Sequence, residues 1–389
     1  MKVKNFPIFS VCLLLLSGIA TAQPWEFATD CNAEPIVRQT PDGVEYVRTP
    51  EACFAHLADF SYQFKFVEID GLRQAYIDEG PKDAEPILLL HGQPSWSYLY
   101  RKMIPILLNA GYRVIAMDHV GLGYSDKPTD IAYYTYLGHI ERLEKFIGAL
   151  NLQDITLFGQ DWGSLIGLHV AGDHPDWFAR IVIGNGTLPT PPGRAGAPEQ
   201  PPVSDPYTED PDIPDLRSGT PAQMLSASAE PNAEQRRVAA AYAELGLSGF
   251  SAWQYYSLRS PRFQPSKILE AATYYDLPPS VEAAYDAPYP SRIYMAGIRV
   301  FPSLTIQLGG TNDEAWAGLI SYTKPFLTIF GVRDNVLGSE ANQSRLIDNI
   351  PGAQGQPHAR LEAAGHFLQD DQGADIARRV VEFMAATPQ

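Results

Sequence analysis

At 389 residues the chain is long enough for one large domain or two modest ones, and with 45% hydrophobic residues it can bury a sizeable core. A formal net charge of −16 argues against nucleic acid and anionic membrane surfaces as partners and favours solubility, without pointing to a fold or a substrate. In chain order, residues 1–22 have the layout of a secretory signal peptide. Lys2 and Lys4 make a basic start, residues 9–18 are apolar but too short to span a bilayer comfortably, and Ala20-Thr21-Ala22 offers small residues for cleavage before Gln23. The expectation is a periplasmic or secreted protein with no membrane anchor once the signal is cleaved; an uncleaved N-terminal anchor is the rival reading. Cys12 leaves with the signal. Cys31 and Cys53 remain, an even number that suits a disulfide in an oxidising compartment, against the alternative of two free buried thiols.

Residues 23–60 read as a polar lead-in without strong periodicity. Residues 64–69 and 72–77 flank Asp70-Gly71 and predict a β-hairpin. Pro86-Ile87-Leu88-Leu89-Leu90 is a continuous apolar run, so a strand buried on both faces, and it ends in His91-Gly92-Gln93-Pro94. A helix is predicted over 97–110, a strand over 113–117 closing in Asp118 to Ser125, a helix over 136–150, a strand over 155–158, a helix over 164–171 and a strand over 180–183. Alternating strands and helices predict a mostly parallel sheet covered on both faces, with the active site at the carboxyl ends of the strands.

The alternation then breaks. Residues 189–221 hold ten prolines, with six acidic and two basic residues, a composition that excludes a regular helix or strand. Helical stretches such as 232–245 follow, and residues 188–298 are taken as an inserted helical cap over the strand ends. The sheet resumes at 326–330 and ends in Gly331-Val332-Arg333-Asp334. A helix over 340–349, a strand over 359–363 ending in Ala364-Gly365-His366-Phe367, and a helix over 374–385 complete the chain. The predicted organisation is therefore signal 1–22, core 23–187, cap 188–298 and core 299–389. No internal repeat is visible.

The chemistry gathers at Gly159-Gln160-Asp161-Trp162-Gly163. A glycine on either side of one reactive residue, between a strand and a helix, is the pattern of a nucleophile elbow, which usually holds Ser. Asp161 occupies it here, although an Asp there also fits a helix cap. A carboxylate needs no base to act as a nucleophile, and attack on saturated carbon leaves an alkyl ester that a second step must hydrolyse. Asp161, Asp334 and His366 each follow a predicted strand, in the chain order nucleophile, acid, histidine. In that scheme His366 activates water and Asp334 orients the imidazole. The oxyanion donors would be the backbone N–H groups of Trp162 and Gln93. His91 reads as structural, and Asp118 and Ser125 as supports of the site through hydrogen bonds.

Residues 86–186 and 322–386 resemble the Asp-nucleophile branch of the α/β-hydrolases, and most closely the first subfamily of haloalkane dehalogenases. The stretches that carry the resemblance are His91-Gly92-Gln93-Pro94-Ser95-Trp96-Ser97-Tyr98-Leu99-Tyr100-Arg101-Lys102-Met103-Ile104-Pro105, Gln160-Asp161-Trp162-Gly163 and Ala364-Gly365-His366-Phe367-Leu368-Gln369. More specific are two in the cap, Gly249-Phe250-Ser251-Ala252-Trp253 and Ala296-Gly297-Ile298-Arg299-Val300-Phe301-Pro302. The resemblance spans most of the chain except 1–60 and about 189–225. It implies an α/β-hydrolase fold, a small halogenated substrate, a halide ion as product, and a halide site made by the indole N–H groups of Trp162 and Trp253, with Phe250 lining the same pocket. The acid after the later strand, Asp334, agrees with the first subfamily, since Gly184-Asn185-Gly186-Thr187 offers no carboxylate. Gln93 stands where that family has Glu or Asn.

Two other readings remain at this point. An epoxide hydrolase would use the same three residues with two cap tyrosines as acids, from among Tyr255, Tyr256, Tyr274, Tyr275 and Tyr294. An exported binding protein could retain the scaffold without catalysis. With neither a metal-ligand cluster nor a dinucleotide or phosphate-loop motif in the chain, no cofactor is expected. The oligomeric state is not legible in the sequence.

Overall fold

The computed structural model describes residues 31, 34–190, 209–210, 212–213, 215 and 233–388; the signal segment and most of the proline-rich stretch lie outside them. In chain order the strands are β1 (Arg38–Gln39), β2 (Glu45–Val47), β3 (Lys65–Ile69), β4 (Leu72–Glu79), β5 (Pro86–Leu90), β6 (Arg113–Met117), β7 (Lys127–Pro128), β8 (Ile155–Gln160), β9 (Phe178–Gly184), β10 (Phe326–Gly331) and β11 (Ala359–Leu361). Eight of them form one sheet in the order β11-β10-β9-β8-β5-β6-β4-β3. Pairing is antiparallel at β3/β4 and β4/β6, and parallel elsewhere. The hairpin turns at Asp70 and Gly71, both with positive φ (48° and 72°), the geometry that an Asp-Gly pair adopts at little cost.

The central strands are apolar on both faces because both faces are covered. Along β5, Leu88 and Leu90 pack into one core cluster and Ile87 and Leu89 into the other. The same alternation continues on β8, with Leu157 against Phe158, and on β9, with Ile181 and Ile183 against Val182. Helices α1 (Ile104–Asn109), α2 (Tyr136–Ala149) and α3 (Trp162–Asp173) connect the first parallel strands. Between β9 and β10 the described residues from 233 on hold the helices α4 (Ala233–Glu244), α5 (Phe250–Arg259), α6 (Pro265–Ala272), α7 (Pro279–Asp286), α8 (Ala296–Val300) and α9 (Asp313–Leu319). Helices α10 (Glu340–Asn349) and α11 (Leu368–Ala386) finish the chain. Among the described residues no helix is long and apolar enough to cross a membrane.

Three local expectations change. The helix expected over 97–110 is split into a 3₁₀ turn, Ser97–Tyr100, and α1, which has a proline in its first turn. Pro105 has no N–H to continue a ladder from the preceding residues but is well suited to start a new helix. The last helix begins at Leu368, six residues before the expected start, because a non-helical Gln372 (φ −129°, ψ 24°) bends it rather than ending it. The lead-in is not featureless: β1, β2 and β7 form a small antiparallel sheet, with Tyr46 opposite Pro128. A disulfide joins Cys31 to Cys53, their Cα atoms 5.2 Å apart.

Candidate active site

The parallel strands all run toward one edge, and the loops that leave them there carry Gln93, Asp161, Asn185, Asp334 and His366. Asp161 sits between β8 and α3 with φ 50° and ψ −127°, a conformation that non-glycine residues rarely adopt. Its surroundings hold it there. Its N–H donates to the Asn185 carbonyl (3.2 Å), and its own carbonyl accepts from Ser164 and Leu165 in the first turn of α3. Gly163 is required by packing rather than by φ: a Cβ there would collide with the Leu90 carbonyl of β5. The aspartate makes no side-chain cap to its helix. The helix-cap reading of Asp161 is thus not what the side chain does.

The carboxylate instead turns toward the histidine loop. Asp161 Oδ2 lies 3.4 Å from His366 Nε2, and Asp334 Oδ2 lies 3.0 Å from His366 Nδ1. All three residues are buried. Asp334 is held in turn by the N–H groups of Val336 and Leu337, which donate to its Oδ1 at 2.7 and 3.2 Å. Burial disfavours protonation of the imidazole, but the two carboxylates outweigh it, Asp334 most strongly, and raise the His366 pKa to about 10. The two carboxylates thus favour the imidazolium form of the ring.

Gln93 closes the site from the β5 loop. Its backbone N–H donates to Asp161 Oδ1 at 2.8 Å, and its side-chain amide donates to the Ile298 carbonyl on α8 at 2.9 Å. Trp162 is the first residue of α3, a position whose N–H has no partner within its helix. His91 faces away from the reaction: its Nε2 accepts from the His119 N–H at 3.2 Å, and burial together with His119 holds it neutral, well below the usual histidine range. Asp118 accepts the N–H groups of Ser97 and Tyr124 at 2.7 and 2.8 Å, while Ser125 Oγ donates to the Asp118 carbonyl at 2.8 Å. These two residues shape the loop beside the site and touch none of the three reactive groups.

Asp161 and His366 open into a partly open cavity of about 110 Å³. Trp162, Leu165, Phe250, Trp253, Leu308 and Val336 give it a mainly apolar wall. Phe250 and Trp253 lie one turn apart on the same face of α5. Among the described residues neither Trp162 nor Trp253 gives its indole N–H to a protein acceptor. The five cap tyrosines do not line the cavity. Tyr255 and Tyr256 direct their hydroxyls to Asp210 and Asp215 (3.4 and 3.2 Å), Tyr274 and Tyr275 are exposed, and Tyr294 is buried elsewhere. The arrangement that epoxide opening would need is therefore missing from the described cavity wall.

Sequence reasoning passed over two residues that organise the site. Asn185 Oδ1 accepts from the Gly331 N–H of β10 at 2.7 Å, and its Nδ2 donates to the carbonyls of Gly365 and His366 at 2.8 and 3.0 Å. One amide thus ties three strand ends together. Gln160 Nε2 also donates to the His366 carbonyl, at 3.1 Å. Neither residue has a local signature in the sequence, since each reaches backbone far along the chain.

The model of the alpha/beta hydrolase fold family matches residues 85–371. A haloalkane dehalogenase of Mycobacterium marinum is 41% identical over 350 residues, which cover 87% of this chain and all of that one. Another, from Psychrobacter cryohalolentis, is 37% identical over 356 residues, 89% of this chain and all of its own. Among solved structures, the tetrameric haloalkane dehalogenase of Paraglaciecola agarilytica NO2 superposes with a TM-score of 0.65 at 29% identity, covering 86% of this chain and 97% of that one.

Proposed function

The chain belongs to the haloalkane dehalogenases of the α/β-hydrolase fold, and we propose that it hydrolyses small haloalkanes to an alcohol, a halide and a proton through an ester on Asp161. The observation that carries this reading is the placement of Asp161, 3.4 Å from His366 at the wall of an apolar cavity that two indoles also line. Asp161 Oδ1 sits on the Gln93 N–H, the oxyanion donor, and so becomes the ester carbonyl oxygen, which leaves Oδ2, facing His366 at 3.4 Å, as the attacking oxygen. It displaces halide from carbon, and the halide leaves toward the indole N–H groups of Trp162 and Trp253, donors on polarisable apolar rings. A cavity of about 110 Å³ is smaller than the cavity of roughly 150 Å³ that holds benzene in an engineered protein, and it suits a short alkyl chain.

Esterification removes one of the two negative charges that hold the proton on His366. The imidazole pKa falls, the proton leaves to solvent, and the neutral ring becomes a base. It takes a proton from water as the oxygen attacks the ester carbonyl, whose developing charge is met by the backbone N–H groups of Gln93 and Trp162. Collapse frees the alcohol, restores the Asp161 carboxylate and leaves the water-derived proton on His366, so the resting ion pair is regenerated. Asp334 stabilises the imidazolium throughout.

Bromide release from 1-bromobutane, measured beside diol formation from 1,2-epoxybutane, tests the reading. Bromide without diol supports it; diol without bromide would replace it. The cap boundaries 188–298 and the signal 1–22 belong to the same proposal. Export to the periplasm or beyond the cell is supported by the Cys31–Cys53 disulfide. Sequencing of mature protein should find Gln23 at the N-terminus, and Met1 there would refute export by cleavage.

A further inference from the structure

Both peptide groups of His366 are engaged. Its carbonyl accepts from Gln160, at the end of β8, and from Asn185, just past β9. Its N–H donates, at 2.7 Å, to the carbonyl of Ala272, the last residue of α6 in the helical segment. A second bridge lies beside the first. The Asp371 carboxylate accepts the Gly365 N–H of the histidine loop at 2.8 Å, and the N–H groups of Tyr274 and Tyr275, just past α6, at 2.9 and 3.0 Å. Three backbone donors thus converge on two oxygens, which is within the capacity of an ionised carboxylate. Residue 365 must also be glycine for this approach, since a Cβ would collide with the Ala272 carbonyl. Asp371 itself does not line the cavity.

We infer that Asp371 is a positioning residue that fastens the histidine loop to the end of α6, so that His366 holds its place only while that part of the helical segment stays docked. The inference rests on the reading of His366 as base for the second chemical step. Its consequence falls first on that step. Alkylation uses Asp161, which is set by β8, Asn185 and the Gln93 N–H. Ester hydrolysis needs the imidazole within reach of one water, and a displacement on the order of 1 Å costs about 100-fold.

The test is single-turnover kinetics of Asp371→Ala with 1-bromobutane, followed by rapid quench and intact mass. The expected result is an unchanged bromide burst, a butyl adduct on Asp161 that accumulates, and release of butanol slowed about 10- to 100-fold. Asp371→Asn, which keeps one acceptor oxygen, should fall between the variant and the parent, and it serves if the alanine variant does not fold. Equal slowing of both steps, or no accumulated adduct, overturns the inference. Amide hydrogen exchange judges the clamp without any turnover. Peptides covering 364–367 and 273–276 should quicken together in the variant, and quickening of 273–276 alone overturns it. Wild-type protein that releases no bromide would instead refute the proposed function, leaving exchange to decide the clamp.

Discussion

Asp161 and Asp334 grip one imidazole from opposite sides, and the charge of each changes what the ring can do. Asp161→Asn keeps the shape of the elbow and removes one anion. The His366 pKa should drop from about 10 toward the ordinary histidine value, as read by NMR titration of the ring, and turnover should be lost with the nucleophile. A titration unmoved by the substitution would show that Asp161 is not coupled to the ring. The raised pKa also bears on stability. A histidine whose folded pKa lies above its unfolded value of about 6.5 stabilises the fold fully below that pH, and the contribution is lost as pH rises through about 10. Urea midpoints of the wild type should therefore fall between about pH 6.5 and pH 10 more steeply than those of His366→Phe. Parallel profiles would remove the ion pair from the account. The same His366→Phe variant should stall as the alkyl ester, seen as added mass after exposure to 1-bromobutane.

The elbow is an agreement between two elements, since α3 can leave β8 so sharply only because Gly163 lets it pass against the β5 backbone. Gly163→Ala places a methyl on the Leu90 carbonyl and should destabilise by about 2 kcal/mol or more, a lower thermal midpoint being the readout. A second element sets the cavity wall. In the extended segment after β9, Thr187 and Pro189 line the cavity, while the residues between and after them are held from the other side. Arg345 on α10 donates to the Leu188 carbonyl at 2.7 Å and to Thr190 Oγ1 at 2.6 Å, and its guanidinium stacks on Trp316 at 3.8 Å. Arg345→Met should loosen that wall and shift kcat/KM toward longer bromoalkanes. An unchanged chain-length profile would show that the wall stands without it. Elements of this kind differ in how far they can be read from the chain. The strands β5, β6, β8 and β10 are legible because continuous apolar runs have few other uses; Asp161 and Asp334 are legible because each lies within a few residues of the end of such a run, and His366 because it follows the last predicted strand, 359–363, in the expected chain order. Asn185 followed one too, yet its three hydrogen bonds reach backbone from two distant loops, and no local pattern encodes that. The β1/β2/β7 sheet escaped notice for the same reason: two-residue strands carry no period, and Tyr46 meets Pro128 only after the whole hairpin and two further strands have folded.

At the scale of the molecule, the N-terminal segment is fastened over the loop that carries Gln93. Cys53 is bonded to Cys31, and the next residue, Phe54, stacks on Tyr124 (3.9 Å between centroids) and meets the edge of Trp96 (5.7 Å). Phe60 and Phe64 pack on the same fully buried Trp96, at 5.8 and 6.1 Å. Closing a loop of 22 residues removes conformational freedom from the unfolded chain worth about 3 kcal/mol in the chain-entropy picture. The aromatic contacts act on the folded side and do not depend on the bridge. Replacing both cysteines by serine should therefore lower the urea midpoint by an amount equivalent to about 3 kcal/mol, while bromide release at temperatures where the variant is folded stays at the wild-type rate. An unchanged midpoint would mean that the aromatic cluster alone constrains the segment in both states. A folded variant with slowed release would mean that the constraint of the bridge reaches past Trp96 to the Gln93 N–H, and that the N-terminal segment belongs to the catalytic apparatus rather than only to its support.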